Sequence, residues 1–429
     1  MSNKIKNTAE RVEASLKKRY RSERRFRFLG LLSIILALGF LATLLTSIVS
    51  SGLPAFYQTY IKLDIVFDAA TLGINDVNDK AAVQQADFQG VIREALRNKF
   101  PEATDRAAKR QLNSMVSTGA SYKLSDQFLD NPQWLNTQKS IWILADDDVD
   151  TYHKGLMDTT GAEADRRLND NQLTWLKQLE QENAIEARFN WTLFTAGDSR
   201  DPELAGIKGA LIGSLYTILV TLLLAFPIGI AAAIYLEEFA PKNIWTDMIE
   251  VNINNLAAVP SVVFGLLGLA VFLNFFGMPR SVPLVGGIVL ALVTLPTIII
   301  AGRAAIKSVP PSIREAALGI GASKMQVVTH HVLPLAMPGM LTGAIIGVAH
   351  ALGETAPLLM IGMVAFIVDI PTDPLSAATV LPVQIYLWSD SPERGFVALT
   401  SAAIMVLLAF LVTMNLFAVL LRKRFERRW

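Results

Sequence analysis

The chain alternates between charged runs and long apolar ones. Phe28 to Ser50 holds no Asp, Glu, Lys or Arg, and at about 1.5 Å per residue it is long enough to cross a hydrocarbon layer about 30 Å thick. Further apolar runs lie near Lys208 to Leu236, Ile249 to Leu273, Leu284 to Ala305, Leu335 to Gly362 and Phe396 to Leu421, which with the first predict six transmembrane helices. Between the first two spans the pattern changes. Across Ser51 to Ala205, Phe88, Val91, Ile92, Ala95 and Leu96 fall on one helical face, and Leu168, Leu176 and Leu179 recur along a polar stretch. This segment predicts a separate, mainly helical domain, long enough for its own core. Trp134, Trp142, Trp175 and Trp191 read as core or interface anchors. The fold class is therefore all-α: a polytopic membrane protein with an extramembrane helical domain between spans 1 and 2.

Charge orients these elements. Residues 1–27 carry ten Lys/Arg against three acids, and basic residues flanking a span mark its cytoplasmic end. The first span is longer than a signal-peptide core and has no clear small-x-small cleavage site, so it reads as an uncleaved anchor. Residues 51–205 carry 24 acids against 16 bases and belong outside. Arg303, Lys307, Arg314 and Lys324 put the long connection after the fourth span inside, and the tail 422–429, with Arg422, Lys423, Arg424, Arg427 and Arg428, joins it there. The acids Glu237, Glu238 and Asp247 do not help with orientation. Both termini are expected in the cytoplasm of a cell with an inner membrane.

Composition narrows the class. Of 429 residues, 52% are hydrophobic and 18% charged, with a mean hydropathy of +0.38 and a net charge of +1. This fits a membrane protein in contact with lipid and gives no nucleic-acid footprint. The absence of cysteine rules out disulfides and thiolate chemistry. Gly319 to Lys324 (GIGASK) falls short of a phosphate-binding P-loop, His330 and His331 lack HExxH spacing, and no Ser-His-Asp arrangement is legible. The acidic run Asp146, Asp147, Asp148, Asp150 lacks the glycine and terminal glutamate of a calcium loop and reads as a solvated face. No cofactor, metal or catalytic residue is expected.

The chemistry-bearing stretch is 312–334, between the fourth and fifth spans. Pro310 and Pro311 end one helix, Ser312 with Glu315 predicts a capping box opening the next, and Gly319 and Gly321 break it before a second helix that reaches Pro334. Such an elbow is either a linker or a docking shape. It resembles the EAA loop of permease subunits of ATP-binding-cassette importers: Glu315, Ala316, Ala317, Gly321, Leu333 and Pro334 match that pattern, while His331 stands where it has isoleucine. The resemblance implies that the elbow couples to a separate ATPase subunit.

In the fifth span, Gly339, Gly343 and Gly347 form a packing stripe, and His350 and Glu354 lie on the same face. Four residues apart, the last two can meet, as a hydrogen-bonded structural pair or as part of a substrate path. Val259 to Phe264 (VPSVVF), Gly353 to Leu359 (GETAPLL) and Pro296 to Arg303 look like the PstA-type permease of phosphate importers. The similarity runs from near Lys208 to Leu421 within the core 206–421 and leaves 51–205 unexplained. It implies phosphate as substrate, a second related permease, two ATP-binding subunits and a periplasmic phosphate-binding protein. That family commonly has arginine where this chain has His350. Histidine is only partly cationic near neutral pH and arginine permanently so, which leaves Arg303, His350 and Glu354 as the substrate-path candidates. Two other readings remain open: a permease for another oxyanion such as molybdate or sulfate, and an ATPase-coupled membrane signalling protein that transports nothing.

Overall fold

A computed structural model of the protein describes residues 8–74 and 79–425. Residues 1–7 of the basic segment and 426–429 of the tail, with Arg427 and Arg428, lie outside the described residues. The chain divides into two units, 1–51 and 52–429. The first is one helix: α1 runs from Thr8 to Gly52, so the basic and apolar stretches continue one another without a break.

The second unit begins with the extramembrane domain expected between the first two spans. It contains a sheet that the helical reading missed. Strands β1 (Tyr57–Val66), β2 (Gln138–Leu144) and β3 (Ile185–Phe189) form an antiparallel sheet in the order β2-β1-β3. The signal was present in the period-2 alternation of β1: Ile61, Leu63 and Ile65 are buried, whereas Lys62, Asp64 and Val66 are exposed. Ile61 pairs with Ile143 on one side and Ile185 on the other, so the apolar face is continuous. Against it packs the helix Phe88–Lys99, capped by Asp87, which accepts from Gly90 N at 2.7 Å. The face predicted for this helix, Phe88 to Leu96, is the buried one. Rings fill the centre, with Phe67 stacked on Phe128 at 5.4 Å and Phe100 tilted against Trp175 at 5.8 Å between centroids. Trp191 is not part of this core: it is 69% exposed and lies edge-on to Phe189 at 4.9 Å.

Among the described residues five helices are long and apolar enough to cross a membrane, and a bent pair could add a sixth. After α1 the core helices are α2 (Lys208–Ile234), α3 (Ile244–Ala257), α4 (Ser261–Gly268), α5 (Pro283–Lys307), α6 (Pro311–Gly319), α7 (Leu333–Gly353), α8 (Leu381–Ser389) and α9 (Gly395–Phe425). The single span expected over Ile249 to Leu273 is instead α3 and α4, bent by 99° at Ala258 to Pro260. The cause is local: proline drives the residue before it out of helical backbone, and Pro260 itself is extended at φ −55°, ψ 134°. The expected fifth span also ends early. Its helix stops at Gly353 and Glu354 is already extended (ψ 118°), with a short helix Ala356–Met360 following.

The central helices pack through missing side chains. A Cβ on Gly287 of α5 would lie 2.5 Å from Val220 Cβ of α2, and one on Gly343 of α7 would lie 2.4 Å from Ala301 Cβ of α5. Small residues thus bring α2, α5 and α7 close together, the usual basis of tight helix packing in lipid.

Candidate functional site

The elbow differs from its prediction at both ends. Helix α6 starts at Pro311, with Pro310 as its cap residue and no side-chain capping bond, so the Ser312 and Glu315 capping box is not formed. Proline suits the first helical position because it gives up a donor that would be unpaired there anyway. A capping box does form at the start of the second arm: Ser323 Oγ accepts from Gln326 N, and Gln326 Oε1 accepts from Ser323 N. Between them Gly321 takes φ +88°, a left-handed conformation open to glycine, and Ala322 N donates back to Ala317 O at 3.1 Å.

The second arm does not end at Pro334. Lys324–Gln326 passes into a π-helical segment, Val327–Val332, which continues directly into α7 with Pro334 in its first turn. Leu333 and Pro334 therefore belong to the span itself. The wider π turn leaves proline's missing donor near a helix start, where it does least harm. Ala317 is buried, while Glu315 and Ala316 are exposed. So are three apolar neighbours, Leu318 (53%), Ile320 (83%) and Met325 (60%).

Arg303 is not a free cation. Its Nε lies 2.5 Å from Glu237 Oε1 and its Nη2 2.6 Å from Glu250 Oε1, so two carboxylates occupy the guanidinium fork. Lys307 approaches Glu237 at 3.3 Å. Next to Glu315, Arg314 bonds Glu238 at 2.7 Å and donates to the carbonyls of Ile306 and Val309, tying the elbow to α5 and to the end of α2. Sequence reasoning treated Glu237 and Glu238 as uninformative acids. Their signal was position: carboxylates ending an apolar run call for partners.

His350 and Glu354 do meet, with Nε2 to Oε1 at 3.1 Å. His350 is 56% exposed at its side chain, and Glu354 17%. Glu354 caps the broken end of α7, so the pair sits where the helix stops. Arg303 is elsewhere. Gly343 faces Ala301 and Gly339 faces Ala305, which puts Arg303 level with Leu341, nine residues below His350 or about 14 Å along the axis. The three candidates thus separate into a carboxylate-bound arginine toward the elbow end and a histidine–glutamate pair at the other. A buried hydroxyl stripe on α2 had not been singled out: Ser214 accepts from Leu381 N at 2.8 Å, and Thr221 donates to Gly287 O at 3.2 Å.

The acidic run has structural partners. Asp146 caps the helix Asp147–His153, Asp148 pairs with Arg167, and Asp150 pairs with Lys154 at 2.5 Å while accepting from Thr59 N. Among the described residues no group of three or more metal-ligating side chains is gathered.

Residues 225–428 match the family described as "Binding-protein-dependent transport system inner membrane component", and residues 13–163 match a domain of unknown function (DUF3333). The probable ABC transporter permease protein YqgI of Bacillus subtilis is 35% identical over 173 residues, 40% of this chain and 58% of that one. Phosphate transport system permease protein PstA 1 of Mycobacterium tuberculosis is 30% identical over 239 residues, 56% of this chain and 77% of that one. Among solved structures, the inward-facing MetNI methionine ABC transporter matches with a TM-score of 0.42 and 18% identity, over 51% of this chain and 97% of that chain.

Proposed function

The chain belongs to the family of PstA-type ABC importer permeases, and from that premise we propose that it is the permease subunit that moves inorganic phosphate across the cytoplasmic membrane by alternating access. The observation that carries this reading is the 30% identity to PstA 1 over 77% of that protein's length. Hydrolysis of ATP belongs to separate cassette subunits, and delivery of phosphate to a periplasmic binding protein. A second, related permease completes the pore. Both termini lie in the cytoplasm and 51–205 outside, in keeping with the basic residues on the inner connections.

Coupling enters at the elbow. Leu318, Ile320 and Met325 give it an exposed apolar surface, and such a surface beside Glu315 suits docking into a partner's groove. Because these side chains make little of the chain's own core, Ile320→Asp should leave the folded permease intact. It should nevertheless abolish its co-purification with the ATPase subunits and the stimulation of ATP hydrolysis. Normal ATPase binding by this variant would reduce the elbow to a linker.

At the other end, Glu354 and His350 form the polar element that phosphate would meet. A bare carboxylate repels an oxyanion, so Glu354 must be neutralised by His350 or by a cation of the second permease while the site is loaded. Exchange of these partners would accompany the change of access. The experiment is labelled-phosphate uptake with ATP turnover measured in the same vesicles. Glu354→Gln keeps size and hydrogen bonding but removes a charge-assisted pair worth about 1.5–3 kcal/mol, so uptake should fall about tenfold or more with near-normal assembly. His350→Arg should be tolerated better than His350→Leu. ATP turnover without phosphate uptake by the parent complex would favour the signalling reading instead, and competition by molybdate or sulfate would change the cargo.

A further inference from the structure

The three-stranded sheet ends in a group of aromatic rings beside the spans. β1 opens at Tyr57 and β3 closes at Phe189, and these two residues are direct partners. Phe189 is the hub. Tyr57 stands edge-on to it at 6.4 Å and Trp191 at 4.9 Å, while Phe194 stacks on it at 6.1 Å and on Phe56 at 6.0 Å. Buried Asn190 pins the two segments together: its backbone N–H donates to Phe56 O at 2.8 Å, its Nδ2 donates to Ala55 O at 3.0 Å, and its Oδ1 accepts from Leu193 N at 3.1 Å. The group is thus fixed in place, yet three of its rings are uncovered. Tyr57, Phe189 and Trp191 are exposed, and among the described residues neither the Tyr57 hydroxyl nor Trp191 Nε1 has a hydrogen-bond partner.

The spans set the height of this group. The apolar helix Gly395–Arg424 has 30 residues, about 45 Å against about 30 Å of hydrocarbon, so the first turn of α9 reaches the headgroup layer. A Cβ on Gly52, which opens the second unit, would lie 2.9 Å from Ala402 N, and Ala402 is about 10 Å along α9 from Gly395. The 3₁₀ helix Leu53–Phe56 climbs back about 8 Å of that distance. Phe56 is therefore nearly level with the start of α9. Helix α2 gives the same level independently, because Ile207 N donates to Leu193 O at 2.8 Å and Lys208 N to Ala196 O at 3.2 Å, beside its first turn. Ala55, Leu193 and Ile207 share one apolar cluster with Phe396, Leu399 and Ala402 of α9.

We propose that these rings are an interfacial foot: Tyr57, Phe189 and Trp191 seat in the headgroup layer of the leaflet on the sheet's side, so the domain stands on lipid as well as on its own spans. Tryptophan and tyrosine suit that layer because each joins an apolar ring to one polar group, which headgroups and water satisfy there and hydrocarbon would not. Exposed apolar patches mark either a membrane or a protein surface. Height decides for lipid, since at the level of the first turn of α9 the surrounding medium is the headgroup layer. Leu53, three residues deeper than Phe56, is exposed as well and continues the apolar surface toward the hydrocarbon.

The chain has no cysteine, so a nitroxide on Trp191→Cys in the full chain in phosphatidylcholine nanodiscs reports the depth of the foot. One on Tyr122→Cys, a 76% exposed position of the same domain, is the aqueous reference. Collisions are measured with oxygen, which concentrates in the bilayer, and with a water-soluble nickel chelate. The 191 label should show a loss of nickel collisions and a gain of oxygen collisions relative to the 122 label. Equal nickel access at both sites overturns the foot and leaves the rings to a protein surface. Loss of both kinds of collision at 191 overturns it too, because the label is then buried within the chain. Native Trp191 gives a second reading. Phosphatidylcholine brominated high on its acyl chains quenches interfacial tryptophans, and Trp191→Phe should lose part of the fractional quenching that the parent shows. Unchanged quenching refutes the proposal even where the cysteine chain fails to insert. Both measurements are independent of phosphate transport.

Discussion

Replacing Arg303 with methionine is expected to empty the membrane of folded permease. Glu237 is only 11% exposed at its side chain and Glu250 34%, and Arg303 bonds both. Without it Glu237 keeps, among the described residues, only Lys307, a largely exposed partner at 3.3 Å. Leaving a buried charge uncompensated costs about 3–5 kcal/mol. The partial exposure of Glu250 puts the figure here near the lower end, still a large fraction of a protein's total stability. Thermal unfolding of the purified chain, or the yield of detergent-stable protein, measures it. Adding Glu237→Gln and Glu250→Gln to the same chain should restore most of the yield, because no carboxylate is then left without its partner. Uptake by the triple variant separates two roles. Restored uptake makes Arg303 a fastener of the inner end; full assembly without uptake makes it a contact for the substrate.

The second large effect is expected within the glycine stripe, and it should be unequal. A Cβ on Gly343 would lie 2.4 Å from Ala301 Cβ, and one on Gly339 2.7 Å from Ala305 Cβ, whereas one on Gly347 meets nothing closer than 3.5 Å. Gly343→Ala should therefore cost about 1–3 kcal/mol through forced helix separation, and Gly343→Leu should prevent assembly. Gly347→Ala should be neutral or stabilising, because alanine gains up to about 1 kcal/mol over glycine in a helix. Moving the methyl across the interface tests the cause. Ala301→Gly combined with Gly343→Ala should recover most of the loss, since Ala301 is the only residue that the added Cβ would crowd. Equal effects at 343 and 347, read by thermal unfolding, would sink this account.

Much of this architecture was legible because membrane helices must satisfy their own backbone and therefore write long apolar runs into the sequence. The glycine face and the meeting of His350 with Glu354 followed from helical spacing alone. What was missed has a common origin in competition between local signals. The pattern 249–273 reads as one span by hydropathy, but Pro260 disfavours helical backbone at Val259 and is itself extended, and hydropathy carries no penalty for that. Ser312 and Glu315 have the spacing of a capping box, yet Pro310 and Pro311 fix the helix start two residues too early for it. The sheet was missed although the ten residues of β1 alternate, because its partners β2 and β3 are short and lie about 70 and 120 residues further on, with helices between. The partners of Arg303 lie 66 and 53 residues away in the sequence, and no local pattern announces such pairs.

The unbroken run from Lys324 through Gly353 gives the elbow a mechanical meaning. Thirty residues make a rod about 45 Å long. Rocking it by about 10° around its middle carries each end through about 4 Å, in opposite directions. Pressure at Met325 on one side of the membrane would then be felt at His350 on the other without any side chain repacking in between. The compliance of such a lever is set at its softest joint, the π segment Val327–Val332, where backbone bonding is loosest. Stiffness at those six residues fixes how much of the stroke arrives.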